Sequence, residues 1–122
     1  RVDLVVPVPL SPARLRERGY NQAWELAWRT ALQAGVSAHS DLVQRQRETA
    51  TQVGLDLAAR LRNLQGAFAL SAHACALVRH RRVAVVDDVM TTGATAGAVA
   101  EVLKRGGARS VHVWVLTRTP AD

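Results

Sequence analysis

The sequence predicts an α/β fold in which an open, mostly parallel sheet is flanked by helices. Strand-sized apolar runs lie near both ends of the chain, within Val2 to Leu10 and within Ser110 to Thr117. The last third reads as strand, helix, strand, an order that requires a crossover and a parallel pair of strands. With 122 residues and 48% hydrophobic content, the chain is predicted to form one domain with a buried core.

The first element is a predicted strand over Val2 to Leu10. Its residues are β-branched and apolar almost without interruption, as expected where both faces of a strand are covered. Pro7 and Pro9 cannot donate a ladder hydrogen bond, so the strand must end or reach a sheet edge there. Ser11 to Gly19 follows without apolar periodicity and is predicted to be a loop.

A helix is predicted next, over Gln22 to Ala34. Asn21 is a suitable N-cap, and Gly35 ends the segment. Trp24 and Trp28 lie one turn apart, where they could stack a base. A tryptophan pair at this spacing more often packs against a core or a second subunit, so we favour packing and include a homodimer among the expectations.

The middle of the chain is less regular. Ser40 to Val43 reads as a short strand, and Gln44 to Gln52 as an exposed, mobile loop because it holds no apolar residue larger than alanine. Gly54 to Leu64 has the spacing of a helix. Ala67 to Leu70 and Ser71 to Leu77 are predicted to be a short strand and a turn of helix.

The last third carries the clearest pattern. Arg82 to Asp87 is predicted to be a buried strand, Asp88 to Thr95 a loop, and Ala96 to Arg105 a helix. A glycine pair that starts at Gly106 ends this helix, and Ser110 to Thr117 forms a final strand. The predicted buried stripe of the helix consists of Ala96, Val99, Ala100 and Leu103.

The charge balance favours anionic ligands. Net charge is +6, and 15 of the 16 basic residues are arginine. Such a balance suits either phosphates or nucleic acid. The arginines cluster at Arg14, Arg16 and Arg18, at Arg45 and Arg47, and at Arg79, Arg81 and Arg82.

Cys75 is the single cysteine of the sequence. This count excludes an internal disulfide framework and a cysteine-based zinc cluster within these residues, and it fits a reducing cytoplasm. The apolar runs are far shorter than the roughly 18 residues that a membrane span needs, so no span is expected.

The segment from Val83 to Thr95 carries the most specific chemistry. An apolar strand delivers Asp87 and Asp88 at its carboxyl end, where open parallel sheets place ligands. Adjacent carboxylates can accept hydrogen bonds from a vicinal diol or hold a hydrated Mg²⁺. A run rich in threonine and glycine then leads into a helix N-terminus, which can bind one phosphate. A ribose 5-phosphate has this arrangement of diol and phosphate.

Other kinds of acidic strand fit the sequence less well. A Walker B strand needs a GxxxxGK[ST] loop elsewhere, and the sequence has none; Lys104 is its only lysine. A response-regulator receiver domain carries its paired acids after the first strand, whereas these acids follow a late one. The GxGxxG motif of dinucleotide-binding folds is absent from the sequence.

The segment resembles the phosphoribosyl pyrophosphate signature of type I phosphoribosyltransferases, in which a hydrophobic strand and two acids precede a TTGAT-like phosphate loop. Two further stretches narrow the resemblance to the ComF family, which comprises competence protein F and its relatives. They are VPVPLSPARLRERGYNQA at Val6 to Ala23 and RQRETATQVGLDLAARLRNLQGAF at Arg45 to Phe68. Together the three stretches cover most of the chain.

The resemblance implies roles for individual residues. Asp87 and Asp88 would contact the ribose hydroxyls, directly or as ligands of Mg²⁺. Arg45 and Arg47, in a loop from Gln44 to Gln52 that closes over the site, would neutralise the leaving pyrophosphate. The residues around the ribose and its 5-phosphate would be Asp87, Asp88, Val89, Met90, Thr91, Thr92, Gly93, Ala94 and Thr95. Those on the pyrophosphate and acceptor side would be Pro9, Leu10, Ser11, Arg14, Arg18, Tyr20 and Asn21.

The implied function is transfer of the phosphoribosyl group from 5-phosphoribosyl-1-pyrophosphate (PRPP) to a nitrogenous acceptor, with Mg²⁺ as cofactor, in cytoplasmic nucleotide metabolism. Two alternatives stay open: a non-catalytic competence or DNA-uptake protein that binds single-stranded DNA, and a regulator that senses PRPP without turnover. ComF relatives also carry a cysteine-rich zinc module upstream. The chain, which begins at Arg1, is therefore expected to be a fragment that lacks this module.

Overall fold

The computed structural model describes residues 1–9, 16–17, 19, 21–45, 67–90 and 94–118, with the side chains of all of these except 88–90, 94 and 116–118. The elements in chain order are β1 (Leu4–Pro7), α1 (Gln22–Ala34), β2 (Ser37–Ala38), β3 (Val43–Arg45), β4 (Phe68–Leu70), α2 (Ala72–Val78), β5 (Arg82–Met90), α3 (Ala94–Arg105) and β6 (Ser110–Arg118). The helix predicted over Gly54 to Leu64 lies outside the described residues. No helix in the described ranges is long and apolar enough to cross a membrane.

Four parallel strands form the main sheet, in the order β2-β1-β5-β6. Because side chains alternate along a strand, the central strands β1 and β5 contribute to two apolar clusters, one on each face. Toward α2, α3, β3 and β4 they present Leu4, Val6, Val83 and Val85. Toward α1 they present Val5, Ala84 and Val86. The prediction of an α/β fold with an open, mostly parallel sheet between helices is therefore confirmed.

Strands β3 and β4 form a separate antiparallel hairpin, in which Val43 lies opposite Leu70 and Arg45 opposite Phe68. Val43 and Phe68 are buried in the cluster on the α3 side of the main sheet. A Cβ atom on Gly106 would lie 2.4 Å from Cδ1 of Leu70, so the chain after α3 passes against β4 with no room for a side chain unless that leucine shifts. The hairpin is thus docked against the α3 layer.

Helix α1 has the caps that its sequence predicts. The side chain of Asn21 accepts the backbone N–H of Ala23 at 2.9 Å, and Gly35 ends the helix with a φ of 73°. Trp24 packs against the α1-side cluster, as expected. Trp28 does not, because it lies 38% exposed on the outer surface of the helix. The expectation of a homodimer stays a prediction.

Two strand boundaries differ from those predicted. β1 ends at Pro7, and the next residue still bonds to β5, but Pro9 has no N–H with which to extend the ladder. β5 continues to Met90, although a loop was predicted from Asp88 onward. It stays in register with β6 as far as the pairing of Met90 with Arg118, and this pairing keeps the backbone extended.

An ion pair joins the amino ends of β1 and β5. The carboxylate of Asp3 accepts the backbone N–H of Arg82 at 2.8 Å and its guanidinium Nε at 3.4 Å. The backbone bond is the main cause that lowers the pKa of the Asp3 carboxyl, and the guanidinium of Arg82 lowers it further. The ionised form of Asp3 therefore stabilises the folded state.

We expect Asp3→Asn to make the unfolding free energy of the protein less sensitive to a fall in pH. A carboxyl whose pKa is lowered by folding contributes stability that is present above its unfolded pKa of about 4 and is lost as pH falls through the folded value. The difference in unfolding free energy between wild type and Asp3→Asn should therefore be largest near pH 7 and shrink below about pH 4. Urea unfolding at a series of pH values measures it, with the exposed Asp41→Asn as control. A difference that is constant across pH would contradict this assignment.

Candidate functional site

The order of the strands creates a crevice between β1 and β5. From β1 the chain continues through α1 to β2 on one side, and from β5 it continues through α3 to β6 on the other. The two helices lie on opposite faces of the sheet. The chain thus leaves the two central strands toward opposite edges of the sheet, which makes the gap between β1 and β5 a topological switch point. Ligands of open α/β sheets bind outside the carboxyl ends of the strands at such a point. A ligand site is therefore expected at the carboxyl ends of β1 and β5.

On the β5 side of this crevice lie the paired acids. Asp87 is half-buried and pairs with Val115 of β6. Asp88 follows within the strand, so both acids belong to β5. The prediction that a loop begins at Asp88 is therefore wrong. α3 begins at Ala94, earlier than the expected Ala96, and half-buried Thr95 lies in its first turn. A helix N-terminus with its backbone N–H groups thus follows the acids closely along the chain.

On the β1 side two side chains bind consecutive backbone carbonyls. The backbone N–H of Val8 donates to the carbonyl of Val86 at 2.9 Å, which keeps the end of β1 beside β5. Asn21 Nδ2 donates to the carbonyl of Val8 at 3.2 Å. Arg45 Nη2 donates to the carbonyl of Pro9 at 3.4 Å. The structure therefore gathers Pro9, Asn21 and Arg45 around the strand end.

Arg45 does not belong to the exposed, mobile loop predicted over Gln44 to Gln52. It is the last residue of β3 and lies opposite Phe68 in the hairpin. Its guanidinium carbon lies 4.7 Å from the centroid of the Phe68 ring, and its Nε is buried. An arginine over an aromatic face gains a cation–π attraction that is larger where water is excluded. The stretch from Gln44 to Gln52 has no large apolar residue, yet its first two residues belong to β3 because Arg45 pairs with Phe68 across the hairpin.

Several of the predicted site residues lie outside the described residues, and their placement stays a prediction. These are Leu10, Ser11, Arg14, Arg18, Tyr20, Arg47, Thr91, Thr92 and Gly93. The backbone is described at four more positions whose side chains are not, namely Asp88, Val89, Met90 and Ala94. In the described part of the chain, three or more histidine, cysteine, aspartate or glutamate side chains do not cluster as a metal site would require.

One contributor to the site was missed from the sequence. Phe68 is buried and supports the guanidinium of Arg45, yet the sequence pattern places it in a short strand and in the ComF-like stretch without assigning it to the site. The antiparallel pairing of two short strands separated by more than twenty residues was the missing information. The signal available in the sequence was a single aromatic residue in an apolar triplet, which is too common a pattern to assign to a site.

A family profile described as phosphoribosyl transferase domain matches residues 25–122. The chain belongs to the phosphoribosyl transferase domain family. This match begins inside α1, at Glu25, and includes every later element, the β5–α3 segment among them.

Relatives of this phosphoribosyl transferase domain confirm the resemblance to the ComF family. Competence protein F of Haemophilus influenzae is 37% identical over 116 residues, which are 95% of this chain and 50% of that protein. DNA utilization protein YhgH of Escherichia coli K12 is 41% identical over 117 residues, 96% of this chain and 50% of that protein. Competence protein ComFC of Streptococcus pneumoniae is 30% identical over 113 residues, 93% of this chain and 47% of that protein. The chain thus spans about half the length of these relatives.

Solved structures support the fold of the domain independently of close sequence similarity. Glutamine phosphoribosylpyrophosphate amidotransferase from B. subtilis superposes with a TM-score of 0.63 at 20% identity. The match covers 95% of this chain and 22% of that enzyme. At this identity the likeness establishes the fold alone.

We expect the contact between Arg45 and Phe68 to appear as a coupling free energy. A double-mutant cycle with Arg45→Met and Phe68→Leu keeps apolar volume at both positions and removes the charge and the ring. The coupling energy from urea unfolding should be about 0.5 to 1 kcal/mol. A parallel cycle that combines Phe68→Leu with Arg29→Met, at an exposed arginine of α1, should give none. Zero coupling in the first cycle would contradict the contact.

Proposed function

We propose that this domain binds PRPP with Mg²⁺ at the carboxyl ends of β1 and β5 and transfers its phosphoribosyl group to a nitrogenous acceptor. The observation that carries the proposal is the pair Asp87 and Asp88 near the carboxyl end of β5, followed within a few residues by the N-terminus of α3. Carboxylates suit the ribose diol or a cation bound to it, and a helix N-terminus suits the 5-phosphate. Membership of the phosphoribosyl transferase domain family supports this assignment.

The ligand would lie across the crevice with its two ends on different strands. In this proposal Asp87 and Asp88 bind the ribose hydroxyls, and the segment from Val89 to Thr95 binds the 5-phosphate. Pro9 and Asn21 are on the pyrophosphate side. Mg²⁺ fits a paired carboxylate, since oxygen ligands are those it prefers. When bound there, it would neutralise charge on the ribose-linked pyrophosphate.

The proposed reaction is a displacement at the anomeric carbon of the ribose. The bond from this carbon to the pyrophosphate oxygen breaks, a bond to the acceptor nitrogen forms, and the acceptor loses a proton. The residues of the chain would contribute positioning and electrostatic stabilisation, so a covalent protein nucleophile is not required. Arg45 and Arg47 are the proposed cations on the pyrophosphate side, where positive charge stabilises the leaving group.

Replacement of the paired acids should abolish binding. We expect PRPP to bind the wild type in the micromolar range, roughly −8 kcal/mol, and more tightly with Mg²⁺ than without it. Asp87→Asn/Asp88→Asn should lose saturable binding because the carboxylates that hold the diol or its Mg²⁺ are gone. Isothermal titration calorimetry measures both, and Asp41→Asn serves as a control for the loss of an acidic charge. A well-folded wild type that produces no heat of binding would remove the proposal.

Turnover separates an enzyme from a sensor of the same ligand. If the domain is a transferase, pyrophosphate should be released when PRPP is supplied together with a suitable nitrogenous acceptor. Binding of PRPP without pyrophosphate release across a panel of bases and amines would favour the regulator instead.

A second candidate function, binding of single-stranded DNA, is favoured by a basic surface at the opposite end of the sheet. The turns before β5 and before β6 lie side by side, because His80 N–H donates to the carbonyl of Gly107 at 2.8 Å and Arg109 N–H to that of Arg81 at 2.7 Å. These turns and the end of α3 carry the exposed cations Arg79, Arg81, Lys104 and Arg109, hereafter the basic end. Relatives named as competence and DNA utilization proteins add to the case.

We expect neutralisation of the basic end to weaken DNA binding without affecting PRPP. Arg82 and Arg105 are omitted because they are paired with Asp3 and Glu101. The fourfold glutamine variant of the basic end should bind a single-stranded oligonucleotide more weakly, and its salt dependence should fall by roughly 2 to 3 in the slope of log K against log salt. Fluorescence anisotropy at several KCl concentrations measures this, with Arg29→Gln, at an exposed arginine of α1, as control. Equal binding by the variant and the wild type would exclude this surface.

A further inference from the structure

The end of β1 is held from both faces of the sheet at once. Asn21 comes from the N-terminus of α1, which covers one face, and Arg45 comes from the hairpin that packs on the other. Their donors reach the neighbouring carbonyls of Val8 and Pro9 at 3.2 and 3.4 Å. The two side chains thus close on two consecutive peptide groups from opposite directions.

Within the described part of the chain, few other hydrogen bonds support this stretch of backbone. Pro7 and Pro9 flank Val8 and have no N–H to donate, so the Val8 N–H alone continues the ladder, to Val86 at 2.9 Å. Where the ladder ends, the side-chain bonds to the carbonyls of Val8 and Pro9 therefore hold the backbone in place. Both donors are themselves restrained: the Asn21 amide oxygen caps α1 through Ala23, and the Arg45 guanidinium lies over the ring of Phe68.

We propose that Asn21 and Arg45 are positioning residues that set the location of the Val8–Pro9 backbone relative to Asp87, and thereby the fit of the pyrophosphate end of the ligand. The proposal rests on the function proposed above and adds to it: besides the charge that Arg45 contributes, it acts through the backbone that it holds. We call the two side-chain bonds from Asn21 and Arg45 the clamp. Because the β5 side would bind the ribose 5-phosphate, loss of the clamp should weaken the binding only of a ligand that extends to β1.

Asn21 offers a clean separation of its two bonds. Asn21→Ser keeps an N-cap oxygen for Ala23 but is too short to donate to Val8, whereas Asn21→Ala removes both bonds. Ser71, which caps α2 through Ala74 at 3.0 Å, provides the matched control: Ser71→Ala removes a cap far along the chain from the clamp. The comparison isolates the bond to the strand end from helix capping in general.

The experiment is calorimetric titration of each variant with PRPP and, separately, with ribose 5-phosphate, both with Mg²⁺. Loss of one hydrogen bond at a positioning residue should weaken PRPP binding about three- to tenfold in Asn21→Ser and leave ribose 5-phosphate within about twofold of wild type. Asn21→Ser/Arg45→Met should bind PRPP more weakly than either single variant. The fold-loss of affinity in the double variant should be smaller than the product of the two single fold-losses, since both residues hold one segment. Ser71→Ala should bind both ligands as the wild type does.

Hydrogen exchange of the Val8 amide in the ligand-free protein distinguishes positioning from direct contact. A positioning role predicts faster exchange in Asn21→Ser, because the strand end is released; a role confined to ligand contact predicts unchanged exchange.

Five outcomes decide between the interpretations. Selective loss of PRPP affinity with faster exchange supports the clamp, and selective loss with unchanged exchange overturns it in favour of direct contact. Equal loss for both ligands, or no loss for either, also overturns it. Failure of the wild type to bind either ligand would remove the proposed function, and the positioning role with it.

Discussion

The pairing of β1 with β5 is the constraint on which the rest of the structure depends. Leu4–Pro7 and Val83–Val86 form a parallel ladder whose residues are almost completely removed from water on both faces. Backbone groups in such a place must bond to each other, because an unpaired buried N–H or carbonyl costs free energy comparable to a lost hydrogen bond. Both apolar clusters include residues of this pair, so the two helical layers are aligned through it.

The two ends of this central pair are built differently. At the amino ends, Asp3 and Arg82 form an ion pair, and the surrounding turns present cations to solvent. At the carboxyl ends, side chains of Asn21 and Arg45 support the last carbonyls of β1 while β5 carries two acids onward. A half-buried ion pair therefore joins the two strands at one end, and at the other end polar groups come together at the switch point, where a ligand can contact them.

Arg45 illustrates how a local prediction fails where a distant contact decides. The stretch that begins at Gln44 has no large apolar residue, so its composition favours a loop. Pairing with β4 extends the strand through Arg45, because Phe68 provides both a ladder partner and a ring beneath the guanidinium. The same reasoning applies to β5, whose acids have the composition of a loop but remain extended through their pairing with β6. In both cases the partner strand outweighs the intrinsic preference of the residues.

The sequence by itself determined the features that depend on local pattern: the α/β class, helix α1 with its Asn21 and Gly35 caps, most of the buried face of α3, and a buried strand that leads into the paired acids. Periodicity, capping and turn residues encode these within a few positions of the chain. Only the tertiary structure decided which strands are neighbours, that β1 lies beside β5, and that Asn21 and Arg45 meet the same strand end from opposite faces. Such contacts join residues far apart in sequence, and they form because the two faces of one sheet must both be covered, a requirement that no single segment expresses.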